Sequence, residues 1–360
     1  MYVVTNRVLY ADRGGLEVFG NEPNPCGPNE LRLVEVTGNT RFSTRVLADE
    51  LGTDEIRELA QRFRLPIDVN DTWFVSLRIA CELFDRARRE GKHLLLYVHG
   101  YNNDVRDVIT SAKALESLYN VIVLPFSWPA NGGGSIKGTV AYKSDKDDAR
   151  ASATALHRTI GLMHKYHSLL TQGVQSDVMA IAQQKHPHNP EEARALFTRL
   201  LERECKLSLN LLCHSMGNYL AKYASQPGTS SLRQLVFDNI ALVAADANNP
   251  EHDRWLRNFQ TRNRLYVVIN EEDYALKWSR RKPGGEQLER LGQHTRNLTS
   301  PNANYIDVTG NKGVGSEHSY FLGKAVASNA SLKRLFRHIF EGGNAEAALT
   351  YHADRNVYRS

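Results

Sequence analysis

The chain has 360 residues, 41% of them hydrophobic, with 45 basic and 40 acidic side chains and a formal net charge of +5. That is enough apolar material for one large core, or one core with an appended helical part, over a single domain spanning 1–360. The small basic excess is scattered, so the chain lacks the concentrated cationic stripe that nucleic-acid binding requires.

The one dense basic cluster, Arg280-Arg281-Lys282 ahead of Pro283-Gly284-Gly285, reads as a helix end or a solvent-facing loop. Cys26, Cys81, Cys205 and Cys213 stand at irregular spacings without a CxxC pair. They suggest neither a disulfide framework nor a zinc site, and no metal or cofactor is expected. Residues 1–7 lack the basic and long apolar regions of a secretory leader, and no apolar run reaches membrane-spanning length. The expected compartment is the cytoplasm.

In chain order, residues 2–10 and 31–36 read as short strand-like pieces, and helical stretches follow around 53–63 and 72–90. In the second of these, Trp73, Leu77, Ala80, Phe84 and Ala87 recur at three- and four-residue steps, which gives a helix one buried face. Short apolar runs then appear at 93–98, 121–126, 207–212, 240–244, 265–269 and 305–308, mostly separated by helical segments. Runs of this kind suit strands buried on both faces, so the expected class is α/β, a mostly parallel sheet flanked by helices.

A polar, helix-rich stretch at 142–204 separates the second run from the third. Asp147 and Asp148 look placed to open one helix, and Asn189-Pro190-Glu191-Glu192 to cap and start another. The stretch reads as a helical insertion between the early and central strands. It is either a lid or a set of ordinary surface helices.

The most informative segment is Leu211-Leu212-Cys213-His214-Ser215-Met216-Gly217-Asn218. An apolar strand runs straight into Ser215, and a helix-forming stretch follows at once. A tight strand-to-helix turn of this sort exposes a serine hydroxyl as a nucleophile, and it needs small residues two places before and after the serine. Gly217 fills the second place, while Cys213 stands where the pattern G-x-S-x-G has glycine. The alternative role for Ser215 is to cap the following helix.

His99-Gly100-Tyr101-Asn102-Asn103 follows an earlier strand. Such a loop can supply one backbone N–H to a developing oxyanion and the residue after the nucleophile the other, which makes Tyr101 and Met216 the candidates. His99 is expected to be structural, bonded to loop backbone. A serine also needs a base and an orienting acid. Asp273 lies in the loop leaving a late strand, and His318 lies in a glycine-rich turn after the last one. Asp246, at the end of the preceding strand, is the alternative acid, and Glu271 and Glu272 stay open.

Taken together, Val4-Thr5-Asn6-Arg7, His99-Gly100-Tyr101-Asn102, Phe126-Ser127-Trp128-Pro129, Tyr142 with Asp145 and Asp148, His214 to Asn218, Asp273-Tyr274-Ala275-Leu276 and His318-Ser319-Tyr320 resemble the α/β-hydrolase superfamily. Within it they resemble a bacterial branch, domain-of-unknown-function family 900. The resemblance implies the α/β-hydrolase fold and a Ser215, Asp273, His318 triad. It supplies no substrate.

The function implied is that of a serine hydrolase of the esterase or lipase kind (EC 3.1). A carboxylic ester is the default substrate, with lipid esters, thioesters and amides open. Two further classes stay in view: an inert scaffold or binding protein, suggested by Cys213 and the two rival acids, and a lipase acting at a membrane. The partner expected is a small-molecule or lipid ester. The sequence carries no sign of oligomeric state.

Overall fold

A computed structural model describes residues 1–130, 139–204, 207–226, 234–281 and 288–360. The chain opens with strands β1 (Tyr2–Thr5), β2 (Arg7–Leu9), β3 (Phe19–Pro23), β4 (Arg32–Thr37) and β5 (Ser43–Val46) and helices α1 (Thr53–Phe63) and α2 (Val75–Glu90). Next come β6 (His93–Val98), α3 (Val105–Leu118) and β7 (Val121–Ser127), and then helices α4 (Thr139–Ala151), α5 (Ala153–Lys185) and α6 (Pro190–Glu204). The second half runs β8 (Leu209–His214), α7 (Met216–Ala224), β9 (Phe237–Val243), α8 (His252–Leu256), β10 (Thr261–Ile269), α9 (Tyr274–Arg281) and β11 (Ala303–Asp307). It closes with α10 (Gly323–Ser328), α11 (Ala330–Phe340), β12 (Thr350–His352) and β13 (Val357–Arg359).

Among the described residues one sheet has the order β12-β13-β11-β10-β9-β8-β6-β7-β1-β4-β5, and β2 and β3 pair separately. From β13 to β1 all neighbours are parallel; β12, β4 and β5 add antiparallel edges. The central strands alternate between two cores, as a two-residue side-chain period demands. Leu96, Val98, Leu211, Cys213, Leu242 and Val267 enter the core that also holds residues of α4, α5 and α7. Leu95, Tyr97, Leu212, Val243 and Val268 enter the opposite core, with residues of α3, α10 and α11. Helices on both faces leave these strands no solvent side, which is why they read as unbroken apolar runs.

Several boundaries differ from expectation for local reasons. The strand-like stretch 2–10 is two strands, because Thr5 Oγ1 donates to Ser127 O at 2.7 Å, accepts the Arg7 N–H at 3.1 Å, and so turns the chain. The helix expected from 72 begins at Val75: Trp73 O accepts from Leu51 N at 2.8 Å and Val75 N donates to Asp49 O at 2.9 Å, an extended pairing before the helix starts. Asp147 and Asp148 lie inside α4 and do not open it. For α6, Asn189 Oδ1 accepts the Glu192 N–H at 3.2 Å, the expected cap. Strands β3, β5, β12 and β13 have too little apolar content to stand out, and they lie at or near sheet edges.

The long helix α5 packs against α1, α2, α4, α6 and α7. Leu156 and Ile160 reach the sheet core, and Tyr166, Leu170, Val174 and Val178 meet α1 and α2. Arg280 and Arg281 form the last turn of α9, opposite in sign to its carbonyl end. Lys282-Pro283-Gly284-Gly285 and Cys205 lie outside the described residues. Among those described, no helix is long and apolar enough to cross a membrane.

Candidate functional site

Parallel register builds the site. Val98 of β6 lies opposite Cys213 of β8, so two residues further along each strand Gly100 meets Ser215. A Cβ on Gly100 would stand 2.6 Å from Ser215 Cβ and 3.1 Å from its Oγ; one on Gly217 would stand 2.6 Å from Val98 O and 2.7 Å from His99 O. Only hydrogen fits at either place. Cys213, fully buried in the core, occupies the remaining small-residue position. Because the atoms facing Gly217 are backbone, Gly217→Ala is expected to lower stability by about 1–3 kcal/mol. A denaturant titration with an unchanged midpoint would contradict this packing.

Ser215 has φ 54° and ψ −123°, outside the ordinary regions for a side-chain-bearing residue. A residue held there costs about 1–3 kcal/mol and persists only when its surroundings fix it. They do: Ser215 N donates to Val243 O at 3.1 Å, and Ser215 O accepts from Asp246 N at 3.1 Å. The buried Asn218 Nδ2 lies 3.1, 3.0 and 3.1 Å from the carbonyls of Cys213, Ser215 and Val243. The Ser215 side chain makes no capping bond to α7, so the strain is not the cost of a cap. Met216 opens α7, where the first N–H groups lack helical acceptors.

His318 Nδ1 lies 2.7 Å from Asp273 Oδ2; the carboxylate is fully buried and the imidazole partly exposed. Asp273 Oδ1 accepts the Leu276 N–H at 3.0 Å at the positive end of α9. Asn270 Nδ2 reaches Gly315 O at 2.9 Å and Glu317 O at 3.2 Å, tying the His318 turn to the Asp273 loop. His214 links this pair to the serine turn: its ring centroid lies 4.6 Å from that of His318, and its Nε2–H donates to His318 O at 3.2 Å. Among the described residues Ser215 and His318 share no hydrogen bond. The contact to His318 from this turn is made by His214, the residue before Ser215.

The other candidates are placed differently. Asp246 is buried against Arg290, with Nε 2.9 Å from Oδ1, and it accepts from Ser279 Oγ at 2.7 Å. Glu271 Oε1 accepts from Thr295 N and Oγ1 at 3.1 and 2.8 Å, and Glu272 is exposed. His99 accepts the Trp128 N–H on Nε2 at 3.2 Å, donates from Nδ1 to Gly100 O at 2.9 Å, and stacks on the Trp128 ring at 5.1 Å. Tyr101, half-buried, follows Gly100 in the loop beside Ser215.

Burial, helped by the nearby Arg7 charge, holds His99 down at about 3. Burial, then the neighbouring His318, keeps His214 well below 6.5. Both stay neutral in the folded chain, whereas an unfolded chain protonates them below about 6.5. The unfolded state then binds more protons, so stability is lost as pH falls from about 6.5 toward 3. At pH 5 the neutral His99 lowers stability by about 2 kcal/mol, and His214 acts in the same direction. Urea midpoints at pH 7 and pH 5 measure this, and His99→Gln is expected to shrink the difference.

Sequence reasoning gave no role to Arg7, His214 or Asn218. Arg7 is fully buried, and its guanidinium reaches Ser127 Oγ (2.9 Å), Gly20 O (3.2 Å), Asn21 Oδ1 (3.2 Å), Ala130 O (3.4 Å) and Asn103 O (3.1 Å). Asp104, Asp145 and Asp148 surround it, and burial pushes its pKa down to about 10. Asp148, half-buried near Asp145 and Asp147, is pushed up to about 6, by burial first and then by those charges. The signal available was a lone arginine just after an apolar strand.

Residues 80–172, about a quarter of the chain, match the model of a family described as "Alpha/beta hydrolase of unknown function (DUF900)". The match spans β6, the His99-Gly100-Tyr101-Asn102 loop, α3, β7, α4 and part of α5, and it ends before Ser215. It falls within the parallel sheet that carries the serine turn. The chain has an α/β-hydrolase fold. The chain is also similar to a solved structure, "Crystal structure of esterase PE8", at 14% identity and a TM-score of 0.31, covering 69% of this chain and 93% of that one. A likeness at that score does not bear on the site. No curated protein matches the chain.

Proposed function

We propose that this α/β hydrolase is a serine esterase in which Ser215 is the nucleophile, His318 the general base and Asp273 the orienting acid. The observations that carry the reading are Ser215 held at a strained strand-to-helix turn with no capping duty, and its chain neighbour His214 packed against an imidazole, His318, that is bonded to a buried carboxylate. The bond from Nδ1 to Asp273 leaves His318 Nε2 to take the serine proton. The alkoxide then adds to an ester carbonyl, and the N–H groups of Met216 and Tyr101 stabilise the oxyanion. His318 returns the proton to the leaving alkoxide, and water releases the acyl group by the same steps in reverse order.

Arg7 supports this reading by tying the carbonyl of Asn103, two residues past Tyr101, to Ser127 and Ala130. Lysine keeps the charge but not the planar set of donors. Arg7→Lys is therefore expected to lower kcat by about tenfold to 10²-fold with KM less affected, because small misplacements of oxyanion donors are costly. Equal losses in binding and turnover would speak against a positioning role. The reading itself is tested with p-nitrophenyl esters of graded acyl length, alongside thioesters and amides. Turnover of esters by the wild type supports it, and no turnover of any acyl substrate by folded protein sinks it.

A lipid ester at a membrane surface is the second reading. It is favoured by Tyr274 and Trp278, which are 60% and 50% exposed on α9 beside Lys277, Arg280 and Arg281. Aromatic rings and cations together suit an anionic lipid interface. Hydrolysis of lipid in anionic vesicles, faster than that of soluble short esters, would favour it; activity confined to soluble esters would count against it.

A further inference from the structure

We infer that a second pocket, remote from Ser215, binds the tail of a long-chain fatty acid and holds its carboxylate at Arg158. The pocket lies between α2, α5 and the sheet, with a volume of about 560 Å³, within the range of small-molecule sites. Leu33, Leu94 and Leu124 floor it from β4, β6 and β7, and all three are only partly buried although β6 and β7 are interior strands. Ala80 and Leu83 of α2 form one wall, and Leu162 and Met163 of α5 the other. None of Ser215, Met216, Asp273, His318 or Tyr101 lines it.

Its shape is that of a single-chain amphiphile. On α5 the lining runs from Arg158 to Leu170, about 18 Å along the helix axis, a length suited to a long acyl tail. The far end carries Leu83, Leu170 and Leu209 with His167, which burial holds neutral, down to about 4; the mouth is charged, with Arg158, Arg32, Glu30, Asp49 and Glu50. Arg32 lies 3.5 Å from Glu30 and 3.8 Å from Asp49. Arg158 donates one hydrogen bond, to Asn29 O at 2.7 Å, and among the described residues no carboxylate pairs with it. Its remaining N–H groups form the planar fork that a carboxylate accepts in two places. Glu50 at the same mouth disfavours a second anion but leaves a cationic head as the rival ligand.

The test is calorimetric titration of the full chain carrying Ser215→Ala with palmitate, butyrate and hexadecylamine. Palmitate should bind one per chain, butyrate should not bind, and hexadecylamine should bind at least tenfold more weakly than palmitate. Ala80→Phe, which fills the pocket from α2, should weaken palmitate at least tenfold. Arg158→Glu, an exposed change that leaves the core intact, should do the same and reverse the preference toward the amine. No saturable binding of palmitate, tighter binding of hexadecylamine, or palmitate affinity unmoved by Arg158→Glu would each overturn the proposal. None of these outcomes depends on ester turnover, so the pocket and the Ser215 reading stand or fall separately.

Discussion

Ser215→Ala is expected to lower kcat toward p-nitrophenyl esters by about 10⁵- to 10⁶-fold, with KM and thermal midpoint little changed. The loss is large because the hydroxyl is the attacking group, and its removal leaves only the general polarising effect of the site. The fold should tolerate the change. The serine side chain caps nothing, and the bonds that fix residue 215 run through its backbone and through Asn218. Alanine at φ 54° carries the same local strain as serine. Full activity in the variant would remove the nucleophile from the account.

The second large effect separates two buried aspartates by kind of damage. Asp273→Asn is expected to lower kcat by about 10⁴-fold without loss of fold, since an amide in that place favours the wrong imidazole tautomer. Asp246→Ala is expected to lower stability by about 3–5 kcal/mol, because it breaks a buried ion pair with Arg290. Its kcat, measured on the folded fraction, should stay close to wild type. Activity assays paired with denaturant titrations read both quantities on both variants. An Asp246 variant that is stable and inactive, with an active Asp273 variant, would exchange the two roles.

Much of the fold was legible because its central strands are buried on both faces. Residues 93–98 appear in sequence as one apolar run, and the same residues form β6. Helix α1 spans the same residues as the helical stretch expected at 53–63. The edges were not legible: β5 is largely exposed, so no apolar signal marks it. The expected start of α2 failed because pairing of 49–51 with 73–75 is a long-range event that local propensity does not encode.

At the site, Gly217 and Ser215 were legible from spacing, since close approach of two backbones leaves a mark in residue size. The place of Asp273 after a later strand favours it over Asp246, but the surroundings of the two carboxylates were not legible, because both follow strands of the same sheet. What distinguishes their surroundings is Arg290, far along the chain, which pairs with the Asp246 carboxylate, while His318 pairs with Asp273. Arg7 was equally hidden. Its importance lies in which carbonyls surround it, and those come from loops near 20, 103 and 130.

The most direct test of the central claim is to treat the folded protein with a fluorophosphonate and map the modified residue by peptide mass spectrometry. The account predicts one phosphonyl group on the peptide containing Ser215, with labelling abolished in Ser215→Ala and strongly slowed in His318→Ala. Modification at another residue, or none on folded wild-type protein, would contradict it.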